Sequence, residues 1–218
     1  MVTALISRPA NIGLLHPGVL GEVIGKQFQK NGCPVFTATE GRSQDTVDRA
    51  EKSDFVDLGT IEEMVSEVDV IVSIVGGEGG FAVYGLDTPN ETVNFPVAEA
   101  VIHAGFKGVY VDANSIISDP KHSRWECALA DYVNSSGASY VSASIYGYPD
   151  RDGRIMFVSG DRAEAIVSLL PNDDHSFLHA EVSPCDAKDY KRQLIIDNAP
   201  PDPENYSRTD ESWIDANK

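Results

Sequence analysis

The chain has 218 residues and a formal net charge of −17, because 34 Asp and Glu residues outnumber 17 Lys and Arg residues. Its hydrophobic residues, 42% of the total, suffice for one globular domain with a sizeable core. The negative charge argues against non-specific binding to nucleic acid or to an anionic membrane, since both polyanions repel an acidic surface, although a local basic spot could hold one phosphate.

Cysteine content and the N-terminus bear on the cellular compartment. Cys33, Cys127 and Cys185 are odd in number and form no CxxC pair, so no disulfide framework is expected. The N-terminus lacks the basic start, apolar stretch and cleavage site of a signal peptide, and no apolar run approaches the ~20 residues that span a bilayer. We therefore expect an intracellular, cytoplasmic protein that acts away from membranes.

Strands and helices alternate from the N-terminus. Apolar patterning predicts strands at 12–15, 34–39, 55–58 and 68–75, and helices at 19–30, 43–52 and from 60 onward. Ser43 is placed as an N-cap, and Thr60 with Glu63 forms a capping-box signature. The segment 68–75 is almost continuously apolar and β-branched, which is typical of a central parallel strand buried on both faces.

The alternation continues through the second half of the chain. Strands are predicted at 108–113, 139–145 and 154–159, and helices at 94–104, 119–136 and 161–170. This order predicts an α/β fold with a Rossmann-like, doubly wound, mostly parallel sheet. Near residue 171 the composition becomes acidic and rich in proline. We therefore divide the chain into a dinucleotide-binding domain, residues 1–170, and an extended C-terminal tail, residues 171–218.

A turn containing glycine follows the first predicted strand. A pyrophosphate group needs close approach to the backbone at a helix N-terminus, where free N–H groups and the helix dipole favour anions. The usual fingerprint is G-x-G-x-x-G, and here Gly18 and Gly21 are present while His16 replaces the first glycine. A plain strand-to-helix turn is the alternative. The residues assigned to cofactor binding here are Leu15, His16, Pro17, Gly18, Val19 and Leu20.

The end of the second predicted strand bears on the choice of cofactor. An acidic residue there, such as Glu40, usually holds the adenosine ribose of NAD. Arg42 and Ser43 follow it, and they offer a guanidinium and a hydroxyl to a 2′-phosphate instead. These residues favour NADP, with a solvated surface arginine as the alternative reading of Arg42.

Two later loops leave the same edge of the predicted sheet. Val75, Gly76 and Gly77 begin a glycine-rich loop along which a cofactor could lie, although a simple connector has a similar composition. Asn114 and Ser115 follow the next strand, where they could hydrogen-bond a substrate or the nicotinamide, or else cap the next helix.

Tyr146 completes the candidate catalytic residues, Asn114, Ser115 and Tyr146. A tyrosine near the nicotinamide could donate a proton, although aromatic packing is the alternative role. The histidines show no spacing to Cys or carboxylates that is typical of a metal site, so no metal is expected.

Five segments in order carry a family resemblance: IGLLHPGVLG, ATEGRS, DVIVSIV, VYVDANSIIS and YVSASIYGYPDRDGRIMFVSG. They resemble the NADP-binding domain of the 6-phosphogluconate dehydrogenase and 3-hydroxyisobutyrate dehydrogenase superfamily, in its imine-reductase-related branch. Members of that superfamily continue into a helical domain that carries a catalytic Lys and builds the usual dimer. No segment of this chain matches the helix that carries this Lys in the helical domain. The resemblance therefore does not imply the usual dimer, and a homodimer is one possible assembly.

Two functions are compatible with these features. The first is an NADP-dependent oxidoreductase that transfers a hydride to or from a small carbonyl, imine or hydroxy compound. The second is a non-redox biosynthetic enzyme, such as a cyclase or isomerase, or a nucleotide-binding module that kept the Rossmann core. Both take a small molecule as their ligand.

Overall fold

The computed structural model describes residues 9–15, 17–74, 96–114, 122–146, 154–171, 178–183 and 187, with the backbone alone at 96, 122–127, 146 and 179. The strands are β1 (Ile12–Leu15), β2 (Val35–Thr37), β3 (Val56–Asp57), β4 (Val70–Ser73), β5 (Val109–Asp112), β6 (Ser139–Tyr146), β7 (Arg154–Ser159) and β8 (Leu178–Val182). The helices are α1 (Val19–Lys30), α2 (Gln44–Lys52), α3 (Ile61–Glu67), α4 (Pro96–His103), α5 (His122–Ser135) and α6 (Ala163–Val167).

These strands form one sheet in the order β3-β2-β1-β4-β5-β6-β7-β8. Strands β1 to β6 run parallel to their neighbours, β7 is antiparallel to β6, and β8 is parallel to β7. The order 3-2-1-4-5-6 is that of a doubly wound dinucleotide-binding sheet, so the predicted Rossmann-like fold is confirmed. The strand order reverses at β1, and ligands of such sheets bind outside the carboxyl ends of the strands at that point.

Hydrophobic residues pack on both faces of the sheet. Val70 and Val72 of β4 belong to one buried cluster, together with side chains from α1 and α6. Ile71, between them, points into a second cluster with side chains from α3, α4 and α5. This two-sided burial explains why the predicted central strand is apolar at nearly every position, and it confirms that prediction.

Strand β8 has no counterpart among the predicted elements. It pairs with β7, so that Leu178 lies beside Arg154, and it extends the sheet past residue 170. The first part of the segment assigned to the tail therefore belongs to the sheet. Further along, Ala187 is fully buried, and its N–H donates to Ser159 Oγ at 2.9 Å. None of the helices in the described ranges combines the length and the apolar composition that a membrane-spanning helix needs.

Candidate functional site

The turn between β1 and α1 lies where the strand order reverses. Gly18 is the N-cap residue of α1, with an extended backbone (φ −70°, ψ −174°), and no side chain of the described residues caps the helix. Its carbonyl oxygen accepts from Glu22 N–H at 2.8 Å. The N–H groups of the first helical turn have no intrahelical partner, so they can bind an anion.

The residues assigned to this turn differ in exposure. Leu15 and Pro17 are buried, Leu20 is half-buried, and Gly18 is exposed. Val19 is 59% exposed and leaves an apolar surface beside the turn. His16 lies outside the described residues.

A side chain from α2 holds this turn, and its role was not predicted. Arg49 donates from Nη1 to the carbonyl oxygen of Pro17 at 3.0 Å. Its Nε lies 3.8 Å from Oε2 of Glu22, in the first turns of α1. Because Glu22 also accepts from the Ser53 hydroxyl at 3.1 Å, α2 is tied to both the turn and α1.

The charge of Glu22 is maintained by these neighbours. Burial by itself would raise the pKa of Glu22, but hydrogen bonds from Lys26 and Ser53 and the charges of Lys26 and Arg49 outweigh it. The net effect lowers the pKa of Glu22 below its ordinary value, so the carboxylate is ionised at neutral pH and pairs with Arg49.

The turn from β2 to α2 lies at the same edge, because Leu14 of β1 is level with Thr37 of β2. Arg42 follows Gly41, whose φ of +70° requires the left-handed region that glycine tolerates. The Arg42 side chain is exposed, and partial desolvation lowers the pKa of its guanidinium. It remains a cation at neutral pH.

Ser43 occupies the N-cap position of α2, as predicted, but its side chain does not cap the helix. Its hydroxyl lies 3.1 Å from the hydroxyl of Thr46 instead. The Ser43 side chain is exposed next to Arg42, so a cation and a hydroxyl stand together at the end of β2. This combination suits a phosphate group.

Buried polar residues line the carboxyl ends of β4, β5 and β6. Ser73, Asp112 and Ser142 are level with one another in these strands and are at most 3% exposed. Asn114 follows β5, and its Nδ2 donates to Ser73 Oγ at 3.2 Å and to Asp112 Oδ1 at 2.6 Å. Its backbone N–H also donates to Asp112 Oδ1, at 3.2 Å. The Asn114 amide is therefore held in one orientation.

Two tyrosines extend this group. Tyr140 of β6 donates its hydroxyl to Asp112 Oδ2 at 2.9 Å. Tyr110 of β5 is fully buried, and burial, followed by the charge of Asp112, raises its pKa, while a hydrogen bond with Ser73 acts in the opposite direction. The Asp112 carboxylate thus accepts from Asn114 and Tyr140. Neither tyrosine was predicted to take part in the site.

Several predicted site residues cannot be compared with the structure. Val75, Gly76, Gly77 and Ser115 lie outside the described residues, and so does the side chain of Tyr146. The backbone of Tyr146 is the last residue of β6, where it pairs with Ile155. Among the described residues, no group of three or more His, Cys, Asp or Glu side chains could hold a metal ion.

No protein-family model and no curated protein matches the sequence. Solved structures match the fold. A conserved protein of unknown function with similarity to 3-hydroxyacid dehydrogenases is 23% identical, with a TM-score of 0.59 over 86% of this chain and 62% of that one. An imine reductase from Myxococcus stipitatus in complex with NADP+ is 16% identical, with a TM-score of 0.56 over 87% of this chain and 59% of the reductase. A reductive aminase from Aspergillus terreus in complex with NADPH and ethyl levulinate is 15% identical, with a TM-score of 0.56 over 86% of this chain and 60% of the aminase.

These matches confirm the expected family resemblance at the level of the fold. The chain spans about three fifths of the length of the proteins it matches.

Proposed function

We propose that this chain binds NADP and transfers a hydride between it and a small carbonyl, imine or hydroxy compound. One observation carries the proposal: the uncapped N-terminus of α1 lies where the strand order reverses, and Arg42 and Ser43 stand at the end of the adjacent strand. The helix N-terminus fits a pyrophosphate, and the cation with the hydroxyl fits a 2′-phosphate. Both groups occur together in NADP.

Each residue of the turns has a proposed task. The N–H groups of the first turn of α1 bind the pyrophosphate, and Gly18 leaves room for it. Arg42 and Ser43 bind the 2′-phosphate, and Arg42 provides a local positive charge on a chain whose net charge is −17. Leu15, Pro17, Val19 and Leu20 shape the turn, while His16, Val75, Gly76 and Gly77 stay proposals from the sequence.

The nicotinamide end of the site is assigned to the carboxyl ends of β4 and β5. Bound NADPH supplies the hydride, and the protein supplies position and electrostatics. Asn114 is held by Ser73 and Asp112, so we assign it the task of positioning the nicotinamide or the substrate. Ser115 and Tyr146 remain the candidates for contact with the substrate, since a hydroxyl or a phenol can donate a proton.

The proposed substrate class is supported by two of the solved structures that share the fold. The reductive aminase that shares the fold is in complex with ethyl levulinate, a carbonyl compound, and the other relative is an imine reductase. Hydride transfer benefits from exclusion of water, and a single Rossmann unit leaves its cleft open. We therefore propose that residues 184–218, which follow β8, or a second copy of the chain cover the cleft.

Calorimetric titration with NADPH and NADH tests the proposal, followed by assays of NADPH oxidation with ketones, aldehydes and cyclic imines. We expect NADPH to bind more tightly than NADH and to be oxidised with at least one class of compound. Failure to bind either dinucleotide would contradict the whole proposal. Tight binding without oxidation across the panel would instead support the non-redox alternative.

A further inference from the structure

Asp57, at the end of β3, holds the start of the turn that carries Arg42. Its Oδ1 accepts from the N–H of Thr39 at 3.2 Å and from the N–H of Gly59 at 3.0 Å. Its Oδ2 accepts from the hydroxyl of Thr39. One carboxylate therefore fixes both the backbone and the side chain of Thr39, two residues beyond the end of β2.

The rest of the turn is built on this contact. Gly59 accepts from the N–H of Glu40 at 2.9 Å, and Thr39 accepts from the N–H of Arg42 at 2.9 Å. Gly41, between Glu40 and Arg42, has a φ of +70°, which gives the chain a tight reversal. The direction in which Arg42 leaves the turn thus depends on where Thr39 is held.

The geometry points to Asp57 as a positioning residue for the 2′-phosphate site, and so as a determinant of the preference for NADPH over NADH. This inference rests on the proposed binding of NADP. Asp57 does not itself bind the phosphate, since its charge would repel that group. It acts by holding Thr39, and through Thr39 the turn that presents Arg42 and Ser43.

The chemistry of the contact explains why a carboxylate stands at this position. An ionised carboxylate only accepts hydrogen bonds and has two oxygens, which matches the three donors from Thr39 and Gly59. An asparagine would replace one of these oxygens with a donor. The amide could keep the two N–H contacts of Oδ1 but could not accept from the Thr39 hydroxyl.

The test compares dissociation constants for NADPH and NADH in the full chain and in D57A, D57N, R42A and the double variant D57A/R42A. We expect D57A to weaken NADPH binding about tenfold, the size of a lost hydrogen bond to a charged group, and to change NADH binding far less. D57N should fall between the wild type and D57A. In the R42A background, D57A should have little further effect on NADPH, because the guanidinium is gone and only the Ser43 hydroxyl is left to position.

D48A is the matched control, because it removes a carboxylate from the exposed surface of the adjacent α2, where Asp48 accepts from Gln44 Nε2 at 2.6 Å. It should leave the ratio of the two dissociation constants unchanged. Hydrogen exchange at the Thr39 and Gly59 amides should accelerate in D57A, which confirms that the contact exists in solution.

The outcomes separate this inference from the proposed function. If the wild type binds neither dinucleotide, the proposed function fails and this inference fails with it. If the wild type prefers NADPH and D57A and D57N lower both affinities equally, the proposed function stands and Asp57 is a structural residue only. Additive effects of D57A and R42A on NADPH binding would also overturn the inference.

Discussion

Arg49 of α2 and Pro17 of the β1–α1 turn are joined by a hydrogen bond of 3.0 Å from Nη1 to the carbonyl oxygen. The two residues are 32 positions apart in the sequence. Through this bond, the helix that follows the turn with Arg42 and Ser43 also fixes the turn to which we assign the pyrophosphate. The same arginine lies 3.8 Å from Glu22, so its guanidinium is held from two directions.

We expect Arg49→Ala to weaken NADPH and NADH binding to the same degree, by about tenfold. The reason is that both dinucleotides carry a pyrophosphate, the group that we propose this turn binds. Glu22→Gln is the matched control, because it removes the ion pair and leaves Arg49 able to donate to Pro17. Calorimetry with both dinucleotides checks the result, and a loss as large in Glu22→Gln would show that the Pro17 contact is not the cause.

Arg42→Ala should act on one cofactor only. Loss of a hydrogen-bonded cation from the 2′-phosphate should cost about 1.5–3 kcal/mol of NADPH binding free energy and hardly affect NADH. Lys30→Ala, which removes a positive charge from the exposed end of α1, is the control for general electrostatics. An equal loss for both dinucleotides would contradict the assignment of NADP.

Gly18→Val should abolish dinucleotide binding, because a branched side chain would occupy the space of the pyrophosphate. The fold should persist, since the backbone of Gly18 is extended (φ −70°, ψ −174°) and valine adopts that conformation. Circular dichroism and thermal unfolding check the fold, and calorimetry checks the binding. Normal binding by a folded variant would show that this turn is not the phosphate site.

Local patterns in the sequence predicted most of the fold. The capping box of Thr60 and Glu63 is present, with the side chain of each bonded to the other's backbone N–H. Gly32 and Gly137 end α1 and α5 with positive φ values of 80° and 93°, which is the reason that glycine stands at both positions. These features depend on neighbouring residues, so the sequence shows them directly.

Contacts between distant segments could not be predicted in this way. Arg49 and Asp57 look like ordinary charged residues of a surface helix and a short strand until the fold brings them to the turns. Strand β8 was missed because the acidic, proline-rich composition after residue 171 indicated a tail, although Leu178, Ala180 and Val182 alternate with polar residues as in a strand. Asn114 was predicted at the site, but its bonds to Ser73 and Asp112 depend on the pairing of β4 with β5.

Because the Tyr110 phenol is buried, we expect the folded protein to lose stability at alkaline pH. Burial and the charge of Asp112 raise the pKa of Tyr110 in the folded protein, while in the unfolded chain this phenol ionises at pH ~10. Above that pH the unfolded state binds fewer protons than the folded state, so stability falls as the pH rises, by about 1.4 kcal/mol per pH unit for one proton.

Urea unfolding between about pH 8 and pH 11 measures this slope. We expect Tyr110→Phe to make it shallower, and to lower stability at pH 8 by about 1 kcal/mol because the hydrogen bond with Ser73 is lost. The raised pKa values of Cys33 and Tyr132 leave part of the slope in place. A slope unchanged in Tyr110→Phe would show that this phenol does not control the alkaline transition.

The burial of Ala187 indicates that the segment 184–218 contributes to stability. Its side chain is fully buried, and its N–H donates to Ser159 Oγ at the end of β7. Ala187→Asp places a charge in this buried position and should lower the free energy of unfolding by about 2–3 kcal/mol. Glu164→Ala, at an exposed position of α6, should leave it unchanged.

Removal of residues 184–218 extends the same test to the whole segment. We expect a lower melting temperature, together with loss of any activity, because the segment or a second copy that it recruits would no longer cover the cleft. Light scattering distinguishes these two roles, since only the second changes the mass in solution. If the shortened chain and Ala187→Asp both keep the melting temperature, mass and turnover of the full chain, the segment plays no part, and the catalytic site lies wholly within residues 10–170.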